Sequence, residues 1–236
     1  MVRALLVRGM IAGLCAGVLA AGFAEVVGEP QVDQAITFEA SHADAAEPHH
    51  HDPVSRDVQK SVGLFTAFAV YGASFGGLFA LAFAVVFGRV GRARALPTAV
   101  WLAGAVFVAV VLVPFLKYPA NPPAIGDPET IGSRTALYFS MIAISVLSAV
   151  AAVRLARQAA ARWGETAGPL VGVGAFVVLV VAAGLALPAV NEVPRDFPAT
   201  TLWHFRVASL GTQLVLWSSL GLLFGAAAQR ALGRQR

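Results

Sequence analysis

The sequence predicts an all-α protein, a polytopic transmembrane helical bundle of about six spans, or five if the first is not counted, with both termini cytoplasmic. Composition is the first observation behind this. Of 236 residues, 58% are hydrophobic and only 13% are charged, whereas a soluble domain carries about 25% charged residues. The second is the spacing of the charges. Six stretches without Asp, Glu, Lys or Arg cover residues 9–24, 61–88, 95–116, 135–153, 166–191 and 207–229, and about 20 apolar residues in helix cross a hydrocarbon core of about 30 Å. The third is an asymmetry of sign. Arg3, Arg8, Arg89, Arg92, Arg94, Arg154, Arg157, Arg162, Arg230, Arg234 and Arg236 fall at one set of span ends, and 12 of the 13 acidic residues fall at or near the other. The positive-inside rule makes the arginine ends cytoplasmic.

The expected spans are about 5–27, 61–88, 96–116, 135–154, 168–189 and 206–228, in a single membrane domain of residues 1–236. The first has basic residues ahead of it and small residues at its end, as a cleaved signal peptide would; a retained span is expected. Its Gly9, Gly13, Gly17 and Ala21 form a small-residue stripe, and the second span repeats the pattern with Gly72, Gly76, Ala80, Ala84 and Gly88. The sixth adds Gly221 and Gly225. Such stripes let helix backbones approach in lipid, where dispersion replaces the hydrophobic drive. Cys15, the one cysteine, excludes an internal disulfide and is expected to pack as a small residue. Pro114 and Pro188 lie near the acidic ends of the third and fifth spans. They either end those helices or free carbonyls to line a cavity.

The loops at the arginine ends are short. Those at the acidic ends carry Pro, Asn, Asp, Glu and the histidines, and residues 28–60 are expected to form a mobile extracytoplasmic loop. It holds Glu47-Pro48-His49-His50-His51-Asp52, with His42 just upstream. Imidazole and carboxylate are ligands for divalent first-row metals, and alternate residues of an extended segment point the same way. His42, His49, His50, His51 and Asp52 are therefore candidate metal ligands; the other reading is a solvated polar loop. A second constellation gathers at the acidic helix ends: Glu25, Glu29, Asn121, Asp127, Glu129, Asn191, Glu192 and His204. These residues suit an ion vestibule, because a carboxylate near the membrane must pair, face a cavity or reach the interface. Read structurally, they are helix caps and partners of Arg134 and Arg206.

Several chemistries lack their residues. There is no glycine-rich loop leading to Lys-Ser or Lys-Thr, no H-E-x-x-H, no G-x-S-x-G and no C-x-x-C, so ATP hydrolysis, zinc proteolysis, serine hydrolysis and thiol redox have no support. The formal charge of +4 belongs to loop arginines, not to a basic stripe that would bind nucleic acid. No enzyme activity and no permanently bound cofactor are expected.

The chain also carries strings resembling the CbtA family of probable cobalt transporter subunits. They include Gly28-Glu29-Pro30-x-Val32-Asp33, Val54-Ser55-Arg56-x-Val58-Gln59 and Val113-Pro114-Phe115-Leu116-Lys117-Tyr118-Pro119-Ala120-Asn121-Pro122-Pro123. Gly126-Asp127-Pro128-Glu129-Thr130, Asn191-Glu192-Val193-Pro194 and Ala208-Ser209-Leu210-Gly211-Thr212-Gln213 complete the likeness, which covers essentially the whole chain. The resemblance implies bacterial cobalt uptake for cobalamin synthesis across the cytoplasmic membrane, beside a small His-bearing CbtB-like subunit. It supplies no ligand set. The expected function is thus a subunit of a divalent-metal uptake transporter, with cobalt(II) as cargo and the lipid bilayer as surroundings. A homo-oligomer is also compatible. The alternatives are a nickel transporter and a non-transporting membrane scaffold or metal-sensing partner protein.

Overall fold

In the computed structural model, residues 2–42, 58–89, 94–123 and 125–233 are described. They are overwhelmingly helical, with no strand among them. Helices α1 (Val2–Phe23), α2 (Glu29–His42), α3 (Leu64–Val86), α4 (Ala95–Val106), α5 (Val113–Lys117), α6 (Ile131–Trp163), α7 (Ala167–Ala186) and α8 (Ala199–Gly233) follow in order. The π-helical segments Ala24–Gly28, Gln59–Gly63 and Phe107–Leu112 are built into the described runs. Among the described residues, six runs are long and apolar enough to cross a membrane: Val2–Ser41, Gln59–Val86, Ala95–Lys117, Pro128–Trp163, Ala167–Ala186 and Ala199–Gly233. One falls on each expected span.

The first run corrects one expectation. Residues 29–42, expected within the loop 28–60, are helix, continuous with α1 across Pro30. A proline inside an α-helix lacks its own N–H and clashes with the carbonyl four residues back. Here the clash is relieved by the π segment Ala24–Gly28, in which the Glu29 N–H reaches back five residues to the Ala24 carbonyl. The same device precedes Pro114, which is fully buried and follows the π segment Phe107–Leu112. Pro188, by contrast, does end a helix: Leu187 is extended, with ψ 143°, as the residue before a proline prefers. The 40-residue first run is about 60 Å long at about 1.5 Å per residue. That is roughly twice the hydrocarbon thickness, so α2 projects beyond the bilayer at the acidic end. His49, His50, His51 and Asp52 lie outside the described residues.

The described chain forms two compact units, Met1–Phe107 with Asn121–Ala124 and Asp196–Arg236, and Val108–Ala120 with Ile125–Arg195. In the first, α1 packs against both α3 and α8, and α8 against α4. The α1–α3 seam is the glycine stripe. A Cβ on Gly9 would meet the Gly76 carbonyl oxygen, one on Gly13 that of Gly72, and one on Gly17 that of Phe68. The two backbones are in direct contact and antiparallel. Gly221 and Gly225 face Ala103, Ala99 and Leu96 of α4 in the same way. Because the small residues take the packed faces of α1, Cys15 falls on its exposed face; it does not fill the interior as expected. The α3–α8 seam is filled by rings instead. Phe75 and Phe79 stand edge-on to Trp217, at 5.9 and 6.4 Å between centroids. Phe79 and Phe83 meet Phe224 at 5.4 and 5.0 Å.

The second unit is built on the α6–α7 hairpin. Its turn residue Gly164 has φ +94°, a conformation costly for any residue with a Cβ. Beyond it, Gly168 and Gly172 rest on Ala152, Ala156 and Ala160 of α6. The rest of α7 shows apolar side chains outward, including Leu170, Val173, Val178 and Leu185, as a lipid-facing helix does.

Candidate functional site

The polar chemistry concentrates at the acidic helix ends, with a few polar groups, Glu25 among them, inside the spans. In the second unit it forms a cap around Glu192. Asp127 precedes the short turn Pro128–Thr130, and its Oδ1 accepts the Glu129 N–H at 2.9 Å, a helix N-cap with proline following. Glu192 then draws this turn in. Its Oε2 accepts the Asp127 N–H at 3.1 Å, and its Oε1 lies 2.7 Å from the Thr130 hydroxyl. Arg134 Nε forms an ion pair with Oε2 at 3.2 Å, and its Nη2 donates to the Asp127 carbonyl at 3.1 Å. Gly126 makes the closeness feasible. At φ +119° it adopts a backbone that other residues avoid, and a Cβ there would lie 2.5 Å from Arg134 Nη1 and 2.9 Å from Glu192 Oε2. Nearby, the Tyr118 hydroxyl donates to the Pro188 carbonyl at 2.8 Å, tying the chain after the third span to the segment that follows α7. Burial pushes the Tyr118 phenol above its ordinary pKa.

In the first unit, α2 and the start of α8 lie side by side. Thr201 donates to Gln34 Oε1 at 2.9 Å, and the rings of Phe38 and Phe197 meet edge-on at 5.0 Å. Arg206 Nη2 donates to Asn121 Oδ1 at 2.9 Å. An open groove of about 440 Å³ runs along this end, lined by Asp33, Gln34, Thr37, Phe38, Ser41, Pro198 and Thr201.

Glu25 differs from all of these. It sits in the π segment Ala24–Gly28, which packs against α8, within an apolar span. Its Oε2 is sealed from solvent and has no hydrogen-bond partner. An unpartnered carboxylate oxygen is costly in a low-dielectric interior, and π-bulges recur at functional positions.

The expected site residues are therefore distributed. Asp127, Glu129 and Glu192 share the cap of the second unit, with Glu129 exposed and Asn191 exposed beside it. Asn121 pairs with Arg206 in the first unit. Glu25 and Glu29 stand at the junction of α1 and α2, His204 is exposed on α8, and His42 ends α2. Among the described residues, no three His, Cys, Asp or Glu side chains converge as a metal-ligand set. Thr130, Gln31 and Trp217 were not singled out from the sequence. The last two also carry sealed, unpartnered polar atoms, Oε1 and Nε1.

A sequence model of the CbtA family, described as a probable cobalt transporter subunit, matches residues 2–229. The chain belongs to the CbtA family. The match reaches across all six candidate spans. It makes this CbtA chain a multi-pass membrane protein of a transporter-subunit family and not an enzyme. No curated protein and no solved structure matches it. The resemblance carried by the Val113-Pro114 and Gly126-Asp127 strings thus holds, and in the CbtA fold those strings make the π-relieved end of the third span and the Glu192 cap.

Proposed function

We propose that this chain is the membrane subunit through which a divalent metal, cobalt(II), enters the cell across a bacterial cytoplasmic membrane. The observation that carries the reading is the family match across residues 2–229 of a chain with six candidate spans. The family's description names a transporter subunit for cobalt, and the charge distribution supplies a direction. Arginines crowd one set of span ends and carboxylates the other, so the acidic ends face outward under the positive-inside rule. An inside-negative potential favours inward movement of a dication by about 4.6 kcal/mol per 100 mV, twice the single-charge value. That drive suffices without ATP.

In this reading His42, His49, His50, His51 and Asp52 capture the ion outside the membrane. The carboxylates of Glu25 and Glu29 then receive it, while Glu192, its two oxygens engaged by Asp127, Thr130 and Arg134, holds the fold. A small His-bearing membrane partner fits the word subunit. The test is cobalt uptake by cells expressing the chain, alone and with such a partner, measured by elemental analysis. Saturable uptake above the empty vector supports the reading. No stimulation in either case overturns it and favours a scaffold or metal sensor, and preferential uptake of nickel changes the cargo.

Replacing His49, His50 and His51 together with Ala is expected to weaken uptake mainly at low metal, raising the half-saturating cobalt concentration by about 10-fold. The maximal rate changes little, because capture and translocation are separate steps. An unchanged concentration dependence removes the capture role.

A further inference from the structure

We infer that the seam between α1–α2 and α8 holds a path of unpartnered oxygen acceptors, Gln31, Glu25 and Gln213, that takes a partly dehydrated divalent cation, with Glu25 its one charged rung. The inference rests on the transport reading for its cargo but on separate observations for its residues. Few buried side-chain polar atoms in the described structure lack a hydrogen-bond partner, and three of them are oxygens on these helices: Gln31 Oε1, Glu25 Oε2 and Gln213 Oε1. Buried polar atoms are nearly always paired. Three acceptors left open on two neighbouring helices, with no donor supplied, form an arrangement a cation completes.

Their order follows from the register. Thr201 against Gln34 and Gly211 against Phe23 show that α8 runs antiparallel to α1 and α2. Gln31 is six residues from Glu25, about 9 Å along the axis. By the same register, Gln213 lies about one turn beyond Glu25, toward the arginine ends. The rungs thus descend from the acidic end into the span. At the top they begin one turn below Gln34, which lines the open groove of about 440 Å³. At the bottom they end at Trp217, one turn past Gln213 on α8, whose ring is closed against Phe75 and Phe79. Its Nε1 is a donor, also unpartnered, and offers a cation nothing.

The chemistry suits transit. Amide and carboxylate oxygens bind divalent first-row ions less tightly than imidazole does, and conduction needs sites that bind well enough to enter and weakly enough to leave. One carboxylate neutralises half the charge of a dication.

The experiment uses the full-length protein purified in detergent and the hydrophobic reagent dicyclohexylcarbodiimide, which modifies carboxyl groups in apolar surroundings. Modification of Glu25 is read by mass spectrometry. Without metal, Glu25 is labelled; cobalt(II) protects it in a saturable manner, and Gln213→Leu and Gln31→Leu each raise the protecting concentration by about 10-fold. Glu25→Gln folds with an unchanged melting profile and takes up cobalt at least about 10-fold more slowly in cells. Labelling of Glu25 that cobalt does not alter, or full uptake by Glu25→Gln, overturns the path. Protection by cobalt in a protein that drives no uptake leaves the site standing and defeats the transport reading alone.

Discussion

Gly13→Leu is expected to cost on the order of 3 kcal/mol or more and to abolish the monodisperse folded protein in detergent. In lipid, α1 and α3 gain nothing from leaving water; their association rests on dispersion between backbones brought into contact. At Gly13 an added Cβ runs into the Gly72 carbonyl oxygen and lies 2.8 Å from the Gly76 Cα. Both are backbone, so neither can rotate away. The helices must part toward the roughly 8–10 Å separation of ordinary helix pairs. Gly22 on the same helix has nothing within 4 Å of its Cβ position. Gly22→Leu is therefore the control, expected within about 0.5 kcal/mol of the parent. Thermal unfolding followed by size-exclusion chromatography checks both. A Gly13→Leu protein that melts with the parent contradicts the packing account.

Glu192→Ala is expected to cost about 2 kcal/mol, a value set by partial exposure. Its side chain and that of Arg134 are 18% and 26% exposed, so water partly compensates the stranded guanidinium, and the loss stays below that of a fully buried pair. What is lost is a hub: the Asp127 N–H, the Thr130 hydroxyl and Arg134 all converge on one carboxylate. Glu192→Gln keeps an acceptor oxygen and is expected to cost about half as much. A cycle with Arg134→Gln reads the coupling directly, at about 1 kcal/mol. If Glu192→Ala melts no lower than Glu192→Gln, the carboxylate is not the hub.

The spans were legible because lipid tolerates so few charges. Breaks in the apolar stretches at Arg3–Arg8, Arg89–Arg94 and Arg154–Arg162 mark them without any knowledge of packing. The glycine stripes were legible too, since a four-residue spacing puts Gly9, Gly13 and Gly17 on one face. The passage of the helix through Pro30 was not. Proline reads as a break, and the π segment that absorbs it has no sequence signature beyond the proline itself. The Glu192 cap was half legible: Asp127-Pro128-Glu129 announces a helix start, but its pairing with a carboxylate 65 positions away is set by tertiary structure. Gln213 was visible as a polar residue in a span; Gln31 was hidden because it fell in what was expected to be loop. The His49-His50-His51 tract keeps its proposed role from sequence alone.

The direction of transport depends on which face of the membrane the carboxylate-bearing ends meet. Reporter fusions at the N- and C-termini, one active only in the cytosol and one only outside it, measure this directly in intact cells. Cytosolic activity at both termini is the predicted result. Both termini outside would turn the Glu25 rung and the histidine tract toward the cytosol, set the membrane potential against the proposed movement, and contradict inward transport by this route.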